Sequence, residues 1–338
     1  MNLIMRTFRM DTLILLIIYM VTAWAAPVGK EKSLTSSFDG CSNVTYPLPS
    51  DVVYEFPKDT WVENLAVRHN GQIVVTENTR PRVYQVDLFM SQKAILLHEF
   101  PQTASILGIV ETSPDVFHVC SANFSSETFQ GFGGAYIFRL DMRRFHPDRP
   151  GSVGVSKIAT IPQAQALNGL TFLGWNSILL LVSDFDLGVI FSVDIDTGES
   201  QIAINSTYSR STGFGVNGLK VRHNVLYFTN SQQQTLVKVV INARGEAIGD
   251  YTVLAHGGFA PDDFAIDVQG NFYVAEYLQS KDGIVYVPRG GGAATYIAEI
   301  RSPTACAFGR TASDRDILYV STSGGDYDHD TGIARVFC

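Results

Sequence analysis

An irregular internal repeat constrains the fold of this chain more than any other feature of its sequence. Six segments share one order: a polar or turn residue, a short strand, a turn, and a second apolar strand. The first residues of these segments are Glu63, Ile106, Asn168, Asn217, Asp262 and Thr304, at intervals of 43, 62, 49, 45 and 42 positions. Periods of about 40–50 residues are typical of propeller blades. The repeat predicts an all-β chain, a single six-bladed β-propeller with four-stranded antiparallel blades.

Strand and turn signals fill each repeat unit. Second strands at 178–182 and 225–228 are runs of apolar and aromatic residues, and Asn70-Gly71 is a typical hairpin turn. The interval of 62 residues predicts an enlarged second blade with a loop at 129–134. We expect the segment 41–56 to add a strand to the last blade and so close the ring.

The start of the chain has the form of an export signal. Arg6 and Arg9 precede an apolar run at 13–21, and Ala23-Trp24-Ala25 places small residues at the positions that signal peptidase reads. The run is too short to span about 30 Å of hydrocarbon. The sequence therefore predicts a removed signal peptide at 1–25, an N-terminal segment at 26–49 and a propeller at 50–338. We expect a protein that is secreted or held in the secretory-pathway lumen, without a stable membrane anchor.

In an exported protein, N-glycosylation sequences can be modified and cysteines can form disulfides. The sequence Asn-x-Ser/Thr, which predicts N-glycosylation, occurs at Asn43, Asn123 and Asn205. An even number of cysteines predicts two disulfides in an oxidising compartment, with candidates Cys41, Cys120, Cys306 and Cys338. Three pairings are possible, and a bond from Cys41 to Cys338 would join the chain ends. The alternative is buried free thiols that pack as small apolar side chains.

The charge of the chain limits the classes of molecule that it can bind. The formal net charge is −8 and there is no basic run, which argues against a nucleic-acid partner. We expect a monomer that binds apolar small molecules.

Propeller geometry brings the starts of the innermost strands to one mouth of the central channel. Glu63, Asn168, Asn217 and Asp262 would then offer two carboxylates and two amides, the hard oxygen ligands that Ca²⁺, Mg²⁺ or Mn²⁺ prefers. No histidine or cysteine joins this ring, so zinc is disfavoured. The alternative is that these residues only cap turns and satisfy local backbone groups.

Further pocket candidates surround this ring. Second strands end in polar residues on the same face, and large aromatic residues precede inner strands or lie in the enlarged loop. If they face the mouth, they form an apolar pocket with a polar floor; the alternatives are solvated loop residues and aromatic packing between blades. The predicted pocket residues are Trp61, Asn64, Phe129, Phe132, Asp184, Phe214, Asn230, Phe259, Asp263 and Glu276.

The repeat, with its Asn-Gly strand starts and the string Pro261-Asp262-Asp263-Phe264-Ala265-Ile266-Asp267, resembles the SMP-30/gluconolactonase family of six-bladed propellers. The resemblance covers roughly 50–338. It implies one divalent cation held by Glu63, Asn168, Asn217 and Asp262. This chain departs from the family pattern at Gly169 and Asp263, and at Ala166, where the family often has an arginine that binds a sugar acid.

The first blade, residues 61–72, is similar to secreted propellers of filamentous fungi that act as hetero-Diels-Alderases in secondary-metabolite biosynthesis. The resemblance implies a cyclase that joins a tropolone o-quinone methide to a humulene-type terpene, with no cofactor required. Hydrogen bonds from Asn168, Asn217 or Thr304 to the tropolone oxygen would stabilise developing charge. The predicted catalytic set is Asn168, Asn217, Asp262 and Thr304.

Two other function classes stay open. A metal-dependent lactonase or esterase of the gluconolactonase type would use the cation to polarise a carbonyl and activate water. No Gly-x-Ser-x-Gly motif supports covalent hydrolysis. A non-catalytic small-molecule binder is the third class, since a propeller does not by itself determine function.

Overall fold

The structure is a computed structural model that describes residues 46–88, 93–125, 128, 130–174, 177–277, 282–324 and 331–337. The predicted signal peptide at 1–25 and most of the N-terminal segment lie outside the described residues. The same holds for Asn43, Cys41, Cys338 and Phe129.

The strands form six four-stranded antiparallel sheets, and the predicted six-bladed propeller is confirmed. Blade 1 consists of β2 (Val62–Val67), β3 (Ile73–Glu77), β4 (Arg82–Asp87) and β5 (Lys93–Glu99). Blade 2 consists of β6 (Ser105–Ser113), β7 (Val116–Ala122), β10 (Ala135–Asp141) and β11 (Gly154–Ile161). Blade 3 consists of β12 (Leu167–Phe172), β13 (Leu179–Asp184), β14 (Val189–Asp194) and β15 (Ser200–Ile204).

Blade 4 consists of β16 (Val216–Arg222), β17 (Val225–Asn230), β18 (Thr235–Val240) and β19 (Thr252–His256). Blade 5 consists of β20 (Pro261–Ile266), β21 (Phe272–Glu276), β22 (Gly283–Val287) and β23 (Thr295–Glu299). Blade 6 consists of β24 (Pro303–Phe308), β25 (Ile317–Thr322), β26 (Thr331–Phe337) and, outermost, β1 (Ser50–Phe56). The first-named strand of blades 1 to 6 is the innermost.

Strand β1 closes the ring because it pairs antiparallel with β26, with Val52 opposite Ala334. The Arg335 guanidinium donates to both carboxylate oxygens of Asp51, at 2.7 and 2.9 Å. Just before β1, Leu48 is buried and its N–H donates to the Ile297 carbonyl at 2.7 Å. The predicted closure by the segment before Phe56 is therefore confirmed.

The enlarged second blade carries an insert between β7 and β10. The insert contains a short hairpin of β8 (Phe124–Ser125) and β9 (Gln130–Gly131). The Gly131 N–H donates to the Asp186 carboxylate in the next blade at 3.0 Å. The insert therefore lies against blade 3 on the face where the inner strands begin.

The hydrophobic core lies between the blades, because each sheet is covered on both faces by its neighbours. Strand β3 is buried at all of its positions, and its apolar residues run without the polar alternation of a half-exposed strand. The largest fully buried side chains are mainly aromatic, as Phe117, Phe191 and Tyr273 illustrate. Among the described residues, no helix has the length and apolar character needed to cross a bilayer.

Of the predicted disulfide cysteines, the two that the structure describes are not paired. Cys120 on β7 and Cys306 on β24 are buried free thiols. Each donates to a backbone carbonyl, Cys120 to Asn168 at 2.9 Å and Cys306 to Tyr273 at 3.0 Å. Both side chains serve interior contacts of separate blades, so the prediction of two disulfides is wrong for these two residues. A bond between Cys41 and Cys338 stays a prediction.

The two described glycosylation candidates differ in environment. Asn205 is exposed in the loop after β15. The Asn123 amide nitrogen instead donates to the carbonyls of Gly133 and Gly134, at 3.1 and 3.2 Å. Glycosylation at both positions stays a prediction, and Asn205 is the more accessible acceptor.

Candidate active site at the channel mouth

A cavity of about 250 Å³ lies where the inner strands begin. Its floor contains four of the polar residues predicted from the strand starts, which are Glu63, Asn168, Asn217 and Asp262. Residues from all blades except the sixth line it. The structure therefore brings together the four residues that the sequence predicts as a cation set, although they are up to about 200 positions apart.

A bulge in every inner strand turns these side chains toward the channel. The antiparallel register between the first two strands of a blade shifts at Glu63, and again at Asn168, Asn217 and Asp262. A bulged residue does not pair with the neighbouring strand, so its side chain can be directed away from the sheet. Each candidate site residue occupies such a position.

A glycine follows the site asparagine in two blades because the next blade comes very close. A Cβ at Gly169 would lie 2.2 Å from the Asn217 carbonyl oxygen. A Cβ at Gly218 would lie 2.6 Å from an Asp263 carboxylate oxygen. The Asn-Gly pairs of the sequence thus serve close packing around the axis, and no larger side chain fits.

Side chains on the second strands hold the bulges in place. In blade 3 the Ser183 hydroxyl accepts from the Gly169 N–H at 2.7 Å and donates to the Asn217 carbonyl of blade 4 at 2.6 Å. In blade 4 Thr229 accepts from the Gly218 N–H at 2.9 Å and donates to the Asp262 carbonyl of blade 5 at 2.7 Å. One side chain therefore links the bulge of its own blade to the site residue of the next.

Blades 1 and 2 repeat this arrangement. Thr76 accepts from the Asn64 N–H at 3.0 Å and donates to the Leu107 carbonyl. In blade 2 a thiol replaces the hydroxyl, since Cys120 accepts from the Gly108 N–H at 3.2 Å and donates to the Asn168 carbonyl at 2.9 Å. The spacing of the site residues around the mouth is thus set by a chain of hydrogen bonds between blades.

The floor is electrostatically unusual because two carboxyl groups share it. Burial raises the pKa of Glu63 to about 7, partly offset by interactions with the Trp61 and Asn168 side chains, with a smaller upward contribution from Asp263. Burial also raises the pKa of Asp262 well above its ordinary value, and repulsion from Glu63 and Asp263 adds to the rise. A proton or a cation between these groups relieves the repulsion.

Two floor oxygens have no hydrogen-bond partner among the described residues, Glu63 Oε2 and Asn217 Oδ1. Their neighbouring atoms are engaged: Asn168 Nδ2 donates to Glu63 Oε1 at 3.2 Å, and Asn217 Nδ2 donates to Ser231 Oγ at 3.1 Å. Unpaired buried acceptors favour a ligand that supplies hydrogens or positive charge.

The family resemblance implies a divalent cation, and these residues fit one. The carboxyl oxygens of Glu63 and Asp262 and the amide oxygen of Asn217 are hard donors of the type that such cations prefer. Glu63 Oε2 and Asn217 Oδ1 are unpaired, and the pKa values of both carboxyl groups are raised. Within the described ranges no three histidine, cysteine, aspartate and glutamate side chains cluster in a way that could hold a metal ion. A cation here would therefore depend on the amide oxygens of Asn168 and Asn217 as well.

Beneath the floor lies an ion pair. Asp263 accepts from Lys220 Nζ at 2.6 Å and from Asn64 Nδ2 at 3.0 Å. Neither Asn64 nor Asp263 lines the cavity, although both were predicted to do so. Their side chains pair with each other across the channel axis, which explains why they do not face the mouth.

The walls of the cavity are largely aromatic. Phe185 makes edge-to-face contacts with Phe124 at 5.4 Å and with Phe214 at 5.1 Å between ring centroids. On another side Trp61 lies against Tyr277 at 6.2 Å. Trp61 and Phe214 thus line the cavity as predicted, while Phe124, Phe185 and Tyr277 were not foreseen.

The polar ends of the second strands do not line the cavity. Asp184 accepts from the N–H groups of Gln165, Ala166 and Leu187, and burial raises its pKa. Asn230 donates to the carbonyls of three residues in the preceding loop, Tyr208, Ser209 and Arg210. Glu276 is likewise buried away from the cavity. None of these three residues lines the cavity, and Asp184 and Asn230 hold loops instead.

In four blades, the residue that directly follows the second strand lines the cavity instead. Its backbone N–H donates to the carbonyl just before the inner strand of the same blade, which fixes it at the mouth. These cavity residues and their acceptors are Asn78 to Trp61, Phe185 to Ala166, Ser231 to Gly215 and Tyr277 to Ala260. Since neighbouring strand residues point to opposite sides, the prediction failed by one position.

Four more predicted residues do not line the cavity. Thr304 does not line the cavity, because its hydroxyl donates to the Val62 carbonyl at 2.8 Å in the interior. Phe259 is fully buried in the core between blades. Phe132 is 68% exposed and lies outside the cavity lining. In blade 2 the bulge presents Leu107 to the mouth, and the adjacent Ile106 is buried in the core.

The chain is similar in sequence to one family model and to two named fungal proteins. A family model described as SMP-30/Gluconolactonase/LRE-like region matches residues 177–324. A protein of Phoma sp named "Putative hetero-Diels-Alderase" is 28% identical over 322 residues, which span 86% of this chain and 90% of that protein. A protein of Sarocladium schorii named "Putative hetero-Diels-Alderase asR5" is 28% identical over 337 residues, 88% of this chain and 83% of that protein.

Solved structures are similar in fold at low sequence identity. A luciferin-regenerating enzyme has a TM-score of 0.63 at 15% identity, covering 86% of this chain and 95% of that one. Regucalcin, a calcium-binding protein of Agrobacterium tumefaciens, has a TM-score of 0.59 at 16% identity, covering 86% and 94%. At such identities the likeness establishes the fold alone. With the family match over 177–324, the predicted resemblance is confirmed: this chain carries an SMP-30/gluconolactonase-like region on a six-bladed propeller and is similar over most of its length to proteins named as hetero-Diels-Alderases.

Proposed function

We propose that this protein is an enzyme of secondary-metabolite biosynthesis, a hetero-Diels-Alderase that joins a tropolone o-quinone methide to a humulene-type terpene. The names of the two relatives support the reaction class. The observation that carries the proposal is the two-sided cavity, with Phe185 in contact with both Phe124 and Phe214 on one side and buried polar groups on the floor. Such a cavity suits one hydrocarbon reactant and one oxygenated reactant.

Holding both reactants together accounts for most of the proposed catalysis. Binding diene and dienophile in one cavity converts a bimolecular encounter into a unimolecular step, an advantage worth up to about 7–11 kcal/mol in well-oriented model reactions. The aromatic walls also exclude water, which would otherwise add to the quinone methide. No acid–base step is needed to form the two new bonds.

Glu63 supplies a hydrogen bond to the reacting oxygen in this proposal. With its pKa raised to about 7, the carboxyl group holds a proton in a substantial fraction of molecules near neutral pH. Glu63 lines the cavity, and its unpaired oxygen, Oε2, is the atom that would hold this proton. An O–H donor there stabilises the negative charge that grows on the heterodiene oxygen. The second N–H of Asn168 or Asn217 supports the same charge.

The test is an incubation of purified protein with a quinone-methide precursor and humulene, with and without a chelator. We expect stereoselective adduct that exceeds the uncatalysed yield and persists with the chelator. Adduct that is racemic and equal in yield without protein would contradict the proposal. Absence of turnover both here and on a panel of lactones would leave a non-catalytic binder as the function.

The lactonase is the second candidate, and the unpaired Glu63 and Asn217 oxygens favour it. Glu63, Asn168, Asn217 and Asp262 would hold a divalent cation, which supplies Lewis acidity toward a lactone carbonyl. Ala166 weakens this candidate, because a methyl side chain cannot bind the carboxylate of a sugar acid. Chelator-sensitive opening of a lactone from a panel would support it over the cyclase.

A further inference from the structure

We infer that Asn78 binds the oxygenated substrate by accepting a hydrogen bond from its hydroxyl group, and thereby orients both reactants in the cavity. The inference rests on the proposed function for the identity of the two reactants. The binding role itself follows from the position and the unpaired state of this side chain.

Asn78 is placed at the mouth by the fold. It directly follows β3 in blade 1, and its backbone N–H donates to the Trp61 carbonyl at 2.9 Å. Asn78 is one of the residues that line the cavity, and it is only 3% exposed. The residue is therefore anchored by its backbone at the edge of the cavity.

The side-chain oxygen of Asn78 has no hydrogen-bonding role in the described part of the fold. Asn78 Oδ1 is buried and has no hydrogen-bond partner among the described residues. A buried polar atom without a partner destabilises the folded protein. By contrast, the buried amide of Asn230 makes four hydrogen bonds to loop backbone. A ligand hydroxyl that enters the cavity can satisfy the Asn78 oxygen.

The position of Asn78 relative to the phenylalanines of the wall determines how the reactants are oriented in the cavity. Phe214 precedes the inner strand of blade 4, which stands opposite blade 1 in a ring of six. Phe185 and Phe124 extend the apolar wall through blades 3 and 2. Apolar reactant surface is therefore bound on the phenylalanine side, and the hydroxyl-bearing end is drawn toward Asn78.

Binding of two probes tests the inference without any turnover. Tropolone carries a hydroxyl donor, and its O-methyl ether has the same ring without the donor. We would measure both affinities by calorimetry at a pH below the pKa of tropolone, for the wild-type protein and for Asn78→Leu. We expect the wild type to bind tropolone about tenfold more tightly than the ether, the effect of one hydrogen bond of about 1.4 kcal/mol. In Asn78→Leu the ratio of the two affinities falls to near one.

Gln232→Leu is the matched control, because Gln232 is also a cavity-lining amide but lies exposed at the rim. We expect it to retain the tenfold ratio. Thermal unfolding separates a binding role from a structural one: Asn78→Leu removes an unpaired polar atom, so its Tm should equal or exceed that of the wild type. A wild type that binds the two probes equally, or an Asn78→Leu variant that keeps the ratio, overturns the inference.

The outcome is separable from that of the proposed function. Adduct formation with unchanged stereoselectivity and KM in Asn78→Leu would refute the inference and leave the cyclase intact. A tenfold probe ratio that depends on Asn78, in a protein that forms no adduct, would refute the cyclase and retain the binding role of Asn78.

Discussion

The thiol of Cys120 donates a hydrogen bond to the backbone carbonyl of Asn168 in the next blade, across 2.9 Å. The same sulfur accepts from the Gly108 N–H at 3.2 Å. In blades 1, 3 and 4 a threonine or serine hydroxyl makes these two contacts. Cys120 therefore occupies a position that is repeated from blade to blade and whose hydrogen bonds hold the site residues in place. Its thiol acts there as a hydroxyl does, as a hydrogen-bonding group and not as a redox group.

Replacement of Cys120 by serine should preserve this link, while replacement by alanine should break it. We expect Cys120→Ser to unfold within about 1 kcal/mol of the wild type, and Cys120→Ala to lose about 1–3 kcal/mol because two backbone groups lose their partner. Urea unfolding measures the difference. Ser156→Ala, on the exposed outer strand β11, is the control and should change stability by less than about 0.5 kcal/mol. Equal stability of Cys120→Ala and the wild type would contradict the role.

Thiol counting tests the cysteine assignments. Burial raises the pKa of both Cys120 and Cys306 to about 12, so neither reacts as a thiolate in the folded protein. With Cys41 joined to Cys338, we expect no reactive thiol in the native state, two after denaturation and four after denaturation with reductant. Four thiols without reductant would refute the predicted disulfide at the chain ends.

Glu63→Gln separates the two enzymatic candidates. Glutamine keeps an N–H donor at the floor but removes the charge that a cation requires. We expect the variant to retain cyclase turnover within about tenfold and to lose chelator-sensitive lactone opening altogether. The measurements are adduct yield and lactone hydrolysis on the same preparation. Loss of adduct formation together with loss of metal binding would contradict the cyclase mechanism proposed above.

Phe214→Leu should weaken binding of the hydrocarbon reactant. The side chain lines the cavity and contacts Phe185 edge-to-face at 5.1 Å, so truncation removes apolar contact. We expect KM for humulene to rise about 3- to 10-fold, with a smaller change for the oxygenated reactant. Phe132→Leu is the control, since that ring is 68% exposed and outside the cavity lining. Equal effects of both variants would contradict the assigned wall.

A buried histidine should make the fold sensitive to mild acid. Burial, with a smaller contribution from Arg139, lowers the pKa of His118 from its ordinary value of 6.5 to about 4. The unfolded chain therefore binds a proton between these values that the folded protein does not, and the stability contributed by neutral His118 is lost as pH falls from 6.5 toward 4. His118→Gln should reduce the slope of unfolding free energy against pH by up to about 1.4 kcal/mol per pH unit in that window.

The control for this experiment is His256→Gln, because His256 is exposed. That variant should keep the wild-type slope. A His118→Gln protein whose stability falls as steeply as the wild type between pH 6.5 and 4 would show that another group carries the acid sensitivity.

The floor of the site was predictable from sequence, because the repeat identifies the six blades and the inner strands of blades 1, 3, 4 and 5 each carry a polar site residue at the bulge. Glu63 and Asp262 could be found in this way without coordinates. Leu107 shows the limit, since its blade has no polar residue to mark the bulge and the prediction fell on Ile106. The walls were less predictable: Phe214 and Phe259 both precede an inner strand, yet one lines the cavity and the other packs in the core.

The prediction that polar residues at the ends of the second strands face the cavity failed for a physical reason. Polar residues at their ends, such as Asp184 and Asn230, satisfy the backbone of the adjoining loops, and the residue after each is held at the mouth by a repeated N–H to carbonyl contact. Sequence shows which residues are polar but not which backbone groups lack partners. A one-position offset of this kind therefore needs coordinates.

The pairing of β1 with β26 has a consequence for how the cavity comes into being. The two strands that fasten blade 6 are separated by almost the entire described chain, with Val52 opposite Ala334. Contacts at such separation form late and slowly during folding. Blade 6 stands between blade 1, which supplies Glu63, and blade 5, which supplies Asp262. A ring that opens at this seam would part the two carboxyl groups while the individual blades remained folded, so the proposed activity should disappear before secondary structure does.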